Sequence, residues 1–221
     1  MESPTATAVK ICGLTNIEQA KAIAEMGADA IGVIGVAGTP RFVIEQQRRN
    51  LFSELASCAK NIQRVWVVAD LNDDDLANAL QGEGAPSVVQ LHGNETPERC
   101  TSLRQRHPNT QWWKALRIQN AESINLLNSY TGQVDAVLLD AWSSDQLGGT
   151  GHQIPLQWLQ QVQISMPWWL AGGIAAESIP AILDQVTPWG VDASSRLEVS
   201  PGQKDLSKVE ALLKAVPNRK G

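Results

Sequence analysis

The chain is poor in the residues that most often declare a function. It has three cysteines and three histidines in 221 residues. Cys12, Cys58 and Cys100 share no CxxC spacing, and so sparse and odd a set excludes a disulfide framework and points to a reduced, cytoplasmic setting. The histidines lie far apart, so no metal site is expected. No run reaches the roughly 18 consecutive apolar residues of a membrane span. The opening "MESPTATAV" lacks the basic and apolar regions of a signal peptide. Basic residues are scattered, and a net charge of −5 with no polybasic stripe argues against nucleic acid as a partner. GxGxxG and GxxxxGK[ST] are both missing, which removes two common nucleotide loops. Aromatic residues are lopsided: two phenylalanines and one tyrosine stand against eight tryptophans.

What is present is alternation. Short apolar runs at 9–12, 30–36, 63–69, 87–91, 112–116, 136–139, 168–171 and 191–193 read as strands. Several of them ("AIGVIGV", "RVWVVA", "AVLL", "WWLA") are continuously apolar, as parallel strands covered on both faces are. Between them, "NIEQAKAIAEMGAD" has the apolar spacing of a helix, with Asn16 as N-cap and Gly27 as stop. Further helices are expected at 44–57, 73–80, 97–106, 121–130, 155–162, 178–184 and 206–215. Strict strand–helix alternation implies right-handed crossovers and a parallel sheet. Eight such units predict a single α/β domain over 1–221, a (β/α)8 TIM barrel, with disordered ends at 1–7 and 217–221. A doubly wound open sheet is the rival architecture.

In a barrel the chemistry belongs at the carboxyl ends of the strands, and polar residues do fall there. The first strand ends on Lys10-Ile11-Cys12-Gly13, the second leads to Arg41, the fourth ends "QLHG", and the sixth ends on Asp140. Gln90 and His92 are two residues apart and share a strand face. Each residue has a plainer reading: Cys12 as a small core hydrophobe, Asp140 as a turn cap, His92 as packing, Arg41 as a surface charge. Three glycine-rich or small-residue stretches follow: "LGGTG" at 147–151, "LAGGI" at 170–174 and "DASSRLE" at 192–198. Ser195 and Glu198 fit a capping box and predict a short extra helix. Loops after strands seven and eight that meet such a helix recur as phosphate sites in barrels. A phosphate grip facing a thiol and a carboxylic acid suggests isomerisation of a phosphorylated sugar by one acid and one base.

The motifs "VKICGLT", "QLHG", "VLLDA", "GGTG", "LAGGI" and "GVDASSRLE", followed by "PGQKD", resemble phosphoribosylanthranilate isomerase of tryptophan biosynthesis, in order and across nearly the whole chain. The resemblance implies a (β/α)8 barrel performing a cofactor-free Amadori rearrangement. Its product would be 1-(2-carboxyphenylamino)-1-deoxyribulose 5-phosphate, made from N-(5-phosphoribosyl)anthranilate. It implies Cys12 as general base, Asp140 as general acid and Arg41 facing the anthranilate carboxylate. His92, Gly149 and Gly151 would contact the substrate, and Gly172, Gly173, Asp192, Ser194 and Ser195 the phosphate. A protonated Asp140 would need a raised pKa, and Cys12 a lowered one, for which Lys10 is read as a poor candidate. The protein would be a monomer or homodimer with a small-molecule partner.

Three positions depart from the family pattern. "TPR" replaces "SPR" ahead of Arg41, Arg196 stands where glycine is usual, and Asp70 replaces an asparagine. The rivals are an indole-glycerol-phosphate synthase, a pentose-phosphate epimerase and a barrel that binds a phosphosugar without catalysis. The first would need lysine-rich strand ends and the second paired His and Asp metal ligands, whereas keeping both Cys12 and Asp140 speaks against the third. One tryptophan of each pair, 112–113 and 168–169, is expected between barrel and helices, and Trp142 near the substrate.

Overall fold

A computed structural model describes residues 6–141, 153–160 and 164–217. Its eight principal strands are β1 (Ala8–Cys12), β2 (Ala30–Ile34), β3 (Gln63–Val68), β4 (Val88–Leu91), β5 (Gln111–Ile118), β6 (Ala136–Ala141), β7 (Trp168–Ala171) and β8 (Gly190–Ala193). They close into a barrel in chain order, with β8 pairing back onto β1, and every pairing is parallel. The open-sheet alternative is thereby ruled out. The helices are α1 (Ile17–Glu25), α2 (Glu45–Cys58), α3 (Asp73–Ala79), α4 (Pro97–Arg106), α5 (Leu127–Tyr130), α6 (Leu156–Leu159), α7 (Ile179–Gln185) and α8 (Leu206–Ala215). Most match the expected positions to within a few residues. The segment expected at 121–130 opens as a 3-10 helix over Ala121–Leu126 before α5. The one expected at 155–162 is helical only over Leu156–Leu159 among the described residues.

Local chemistry accounts for the boundaries. The Asn16 side chain accepts from Gln19 N at 3.0 Å and so caps α1, while Gly27, at φ 94°, lets the chain leave the helix in a left-handed turn. Alternation along each strand divides the core into two layers. Ile11, Ile31, Val89, Leu139 and Val191 point outward under the helices. Cys12, Val65, Val67, Leu138 and Ala171 point into the barrel.

The tryptophan pairs follow that division. Trp112 and Trp168 pack on the outer side, whereas Trp113 and Trp169 lie inside the barrel. The inner two stack with ring centroids 4.8 Å apart, a geometry worth about 1 kcal/mol beyond the area it buries. Gly190 makes room for them, since a Cβ there would sit 2.4 Å from the Trp169 ring. Trp142, Gly149 and Gly151 lie outside the described residues, as do most of the two expected disordered ends.

Candidate active site

Alternation brings Lys10 and Cys12 of β1, Gln90 of β4, Asp140 of β6 and Asp192 of β8 to the inner face of the barrel, near the carboxyl ends of their strands. Cys12, His92, Asp140 and Asp192 line one cavity of about 480 Å³ together with Gln90. Arg41, Gly172, Gly173, Ser194 and Ser195 line the same cavity. Each expected site residue within the described region therefore meets at this mouth. β8 and β7 separate β1 from β6, so Cys12 and Asp140 approach the cavity from well-separated strands.

On the β1 side, Lys10 is fully buried and donates to Asp192 Oδ1 at 2.9 Å, its register neighbour on β8. Burial works against the Lys10 charge, but Asp192 and Cys12 together outweigh it and raise the ammonium pKa. Burial in turn pushes the Cys12 thiol up, and Lys10 is the main group pulling it back. This corrects the expectation of a lowered thiol pKa and the dismissal of Lys10. In this state the thiol is held neutral, with a cation alongside it for the thiolate. The Asp192 carboxylate is thus engaged by Lys10, while the residue lines the same cavity as Gly172, Gly173, Ser194 and Ser195.

Gly32 is what permits this packing. A Cβ at that position would lie 2.7 Å from Cys12 Sγ and 3.1 Å from Lys10 Nζ.

On the opposite side, Asp140 is 6% exposed, and burial, with Asp192 repelling its charge, pushes its pKa up to about 7. His92 Nε2 lies 3.6 Å from Asp140 Oδ2. Burial and the cations Lys114, Lys10 and Arg117 hold the imidazole neutral, with its pKa down to about 3.

Arg41 is buried rather than a surface charge. Its Nε and Nη2 donate to Glu198 at 2.8 and 2.6 Å, a two-pronged pair. Lys204 Nζ joins at 2.7 Å and Gly202 N at 3.1 Å. Burial would raise the Glu198 carboxyl, but the hydrogen bonds from Arg41 and Lys204 prevail and hold it at about 2. The expected capping box is therefore not formed. Ser194, not Ser195, is the N-cap of the 3-10 turn Ser195–Leu197, and Glu198 leaves that turn to hold Arg41. Lys204 also donates to Ser194 O, and Ser194 Oγ to Cys12 O at 3.0 Å, so this cluster reaches the carboxyl end of β1.

Gly172 and Gly173 take φ values of 93° and 65°, a left-handed pair that turns the chain sharply beyond β7. Arg196 is more than half exposed and pairs with Glu177 at 2.9 Å. Asp70 stays out of the cavity lining: at φ 52° it accepts from Asn94 N at 2.7 Å and fixes the loop beyond β4.

Lys10, Glu198 and Lys204 are the residues that sequence reasoning undervalued. Lys10 carried a readable signal, since strand alternation places it on the Cys12 face. Lys204 and Glu198 carried none, because their meeting with Arg41 is made by the chain returning from β8.

A family model described as N-(5'phosphoribosyl)anthranilate (PRA) isomerase matches residues 9–215. The N-(5'-phosphoribosyl)anthranilate isomerase of Thermosynechococcus vestitus is 44% identical over 95% of this chain and 90% of its own length. The crystal structure of phosphoribosyl anthranilate isomerase from Thermotoga maritima superposes with a TM-score of 0.83 at 27% identity, covering 95% of this chain and 98% of that one. A further crystal structure of such an isomerase, in complex with reduced 1-(o-carboxyphenylamino)-1-deoxyribulose 5-phosphate, gives a TM-score of 0.77 at 27% identity. It covers 95% of this chain and 97% of the other. With a match over nearly the whole length in both sequence and fold, the chain belongs to the N-(5'-phosphoribosyl)anthranilate isomerase family.

Proposed function

We propose that the cavity isomerises N-(5-phosphoribosyl)anthranilate, the tryptophan-pathway step of this family, with Asp140 as general acid and Cys12 as general base. The observation that carries the reading is a buried, readily protonated carboxyl on β6 sharing one cavity with a buried thiol that has a lysine beside it on β1. Asp140 gives its proton to the ribose ring oxygen, the C1–O bond breaks toward that oxygen, and the anthranilate nitrogen lone pair forms the C=N bond. The iminium acidifies the C2 proton. Cys12, as thiolate stabilised by Lys10, removes it, and the C–H electrons move through C1=C2 onto nitrogen. The enolamine then loses its C2 hydroxyl proton and gains one at C1 to become the ketone. The proton count is unchanged from substrate to product, and the sequence uses one acid and one base without a cofactor.

Glu198 fixes Arg41 by its Nε and Nη2, so that the Nη1 side of the guanidinium is offered to the anthranilate carboxylate. The turn at Gly172 and Gly173 and the start of Ser195–Leu197 receive the phosphate, with His92 on the sugar. Three free thiols suit a cytoplasmic enzyme. The test follows the loss of fluorescence of freshly generated phosphoribosylanthranilate in wild type, Cys12→Ser and Asp140→Asn. Turnover by wild type and a fall of about 100-fold or more in both variants is expected. Full activity in Cys12→Ser would remove the thiol from the mechanism.

A further inference from the structure

Among the described residues, two buried polar atoms of side chains that line the cavity with Asp140 have no hydrogen-bond partner: Gln90 Oε1 and His92 Nε2. Both side chains come from β4 and its end, and both are almost wholly buried. Between them lies a contact that constrains the imidazole. Gln90 Nε2 is 3.2 Å from His92 Nδ1. In this amide orientation the NH2 can only donate, so that Nδ1 accepts and the ring proton is left on Nε2. That nitrogen is buried, 3.6 Å from Asp140 Oδ2. The backbone is fixed as well, since His92 N donates to Val68 O at 2.7 Å and Gln90 is held in register between Val67 and Trp113.

We propose that Gln90 is a positioning residue that locks His92 in its Nε2–H tautomer, so that the imidazole presents a hydrogen-bond donor to the side of the cavity served by Asp140. The proposal rests on the reading of Asp140 as general acid and names what stands behind it. When Asp140 gives up its proton it becomes a buried carboxylate. A fixed N–H at that edge stabilises the new charge, or the sugar oxygen that has just been protonated, without itself titrating. The groups facing the imidazole favour that neutral state: Lys114 from β5, Lys10 from β1 and Arg117 near the end of β5 are cationic, and Asp140 on β6 is the acid itself. In the other tautomer Nε2 would be a bare acceptor turned toward a carboxylate, and the same charge would be repelled.

The tautomer can be read directly by long-range 1H–15N correlation of the histidine side chains in the full-length protein, the His92 signals being assigned by their loss in His92→Asn. Wild type is expected to show the Nε2–H pattern for His92 and to keep it from pH 8 to pH 5. Gln90→Glu replaces the donor by an acceptor. It should move the proton to Nδ1, or charge the ring, and lower kcat/KM about tenfold or more. Gln90→Met, which can neither donate nor accept, should give a mixture of tautomers and a smaller loss; it carries the same test if the glutamate variant does not fold. An Nδ1–H pattern in wild type would overturn the proposal. So would a Gln90→Glu variant whose tautomer changes while kcat/KM does not, or one that loses activity with His92 still Nε2–H. Asp140→Asn in the same assay separates the two readings, because full activity there would remove the acid assignment while leaving the tautomer measurement standing.

Discussion

Cys12 and Lys10 show how little space decides the chemistry at the scale of single residues. The thiol and the ammonium are packed together because residue 32 has no side chain. Gly32→Ala would put a methyl carbon 2.7 Å from the sulfur, and since Cys12 Cα is also only 3.1 Å away, rotation of one side chain does not relieve it. The thiol must move by a substantial fraction of an ångström. Misplacement on that scale costs about 100-fold in rate, so kcat/KM should fall by that order while the variant still folds. Circular dichroism beside the fluorescence assay checks both, and an unimpaired Gly32→Ala would show that the sulfur position is not critical. Asp140 illustrates the converse, a group tuned by what surrounds it. With its pKa at about 7, it is half protonated near neutrality, and kcat/KM should fall as pH rises through that value. The limb is checked by a pH–rate profile and should vanish in Asp140→Asn.

At the scale of elements, the strands do two jobs. Their lower, inward positions plug the barrel and their upper ones carry the site. Trp113 from β5 and Trp169 from β7 stack across the interior, and Gly190 on β8 leaves the space for Trp169. Gly190→Ala overpacks this layer, and a loss of about 1–3 kcal/mol is expected in urea unfolding. A second brace lies beyond the end of β4, against β5. Glu95 accepts from Lys114 Nζ at 2.9 Å in a buried pair, and from Asp70 N at 2.8 Å and Gly93 N at 3.0 Å in part-buried ones. Glu95→Ala would strand a buried ammonium and two backbone donors, and a loss of about 3–5 kcal/mol should appear in the same experiment. A change under 1 kcal/mol would mean that water replaces the carboxylate freely. The brace matters for function because it fixes the loop beyond β4, next to His92.

For the whole molecule, Asp140 is a cost to stability at alkaline pH. Asp140 has its pKa raised from 3.8 to about 7 on folding. The folded state thus holds a proton that the unfolded chain has released, and this contribution is full below about pH 4 and lost as pH rises through 7. Asp140→Asn should therefore be more stable than wild type at pH 8, by about 4 kcal/mol at most, with the advantage shrinking to near zero by pH 4. His92 runs the opposite way. Its pKa falls from 6.5 to about 3, so the unfolded chain takes the proton first and stability drops as pH falls from 6.5 toward 3. In wild type the two slopes oppose each other, and in Asp140→Asn the histidine slope is exposed. Guanidinium unfolding at pH 8, 6 and 4.5 measures this, and an equal stability difference at all three would show that Asp140 has an ordinary pKa.

The periodic part of this protein is legible in the order of its residues alone. Continuous apolar runs separated by helical spacing specify parallel strands under helices, eight of them close into a barrel, and a barrel puts Cys12, His92, Asp140 and the turn at Gly172 and Gly173 at one mouth. That much is local pattern and connectivity, which a linear reading recovers. Tertiary structure decided which partner each polar group took. Glu198 looked like a helix cap by spacing, but it is bound by Arg41, which the closed barrel brings to it from the loop after β2, and by Lys204, its antiparallel partner in a short pairing after β8. Lys10 looked too far from the thiol, yet the absence of a side chain at Gly32, on the neighbouring strand, packs the two together. Pairing energies depend on distance and desolvation, and neither quantity is written in a sequence.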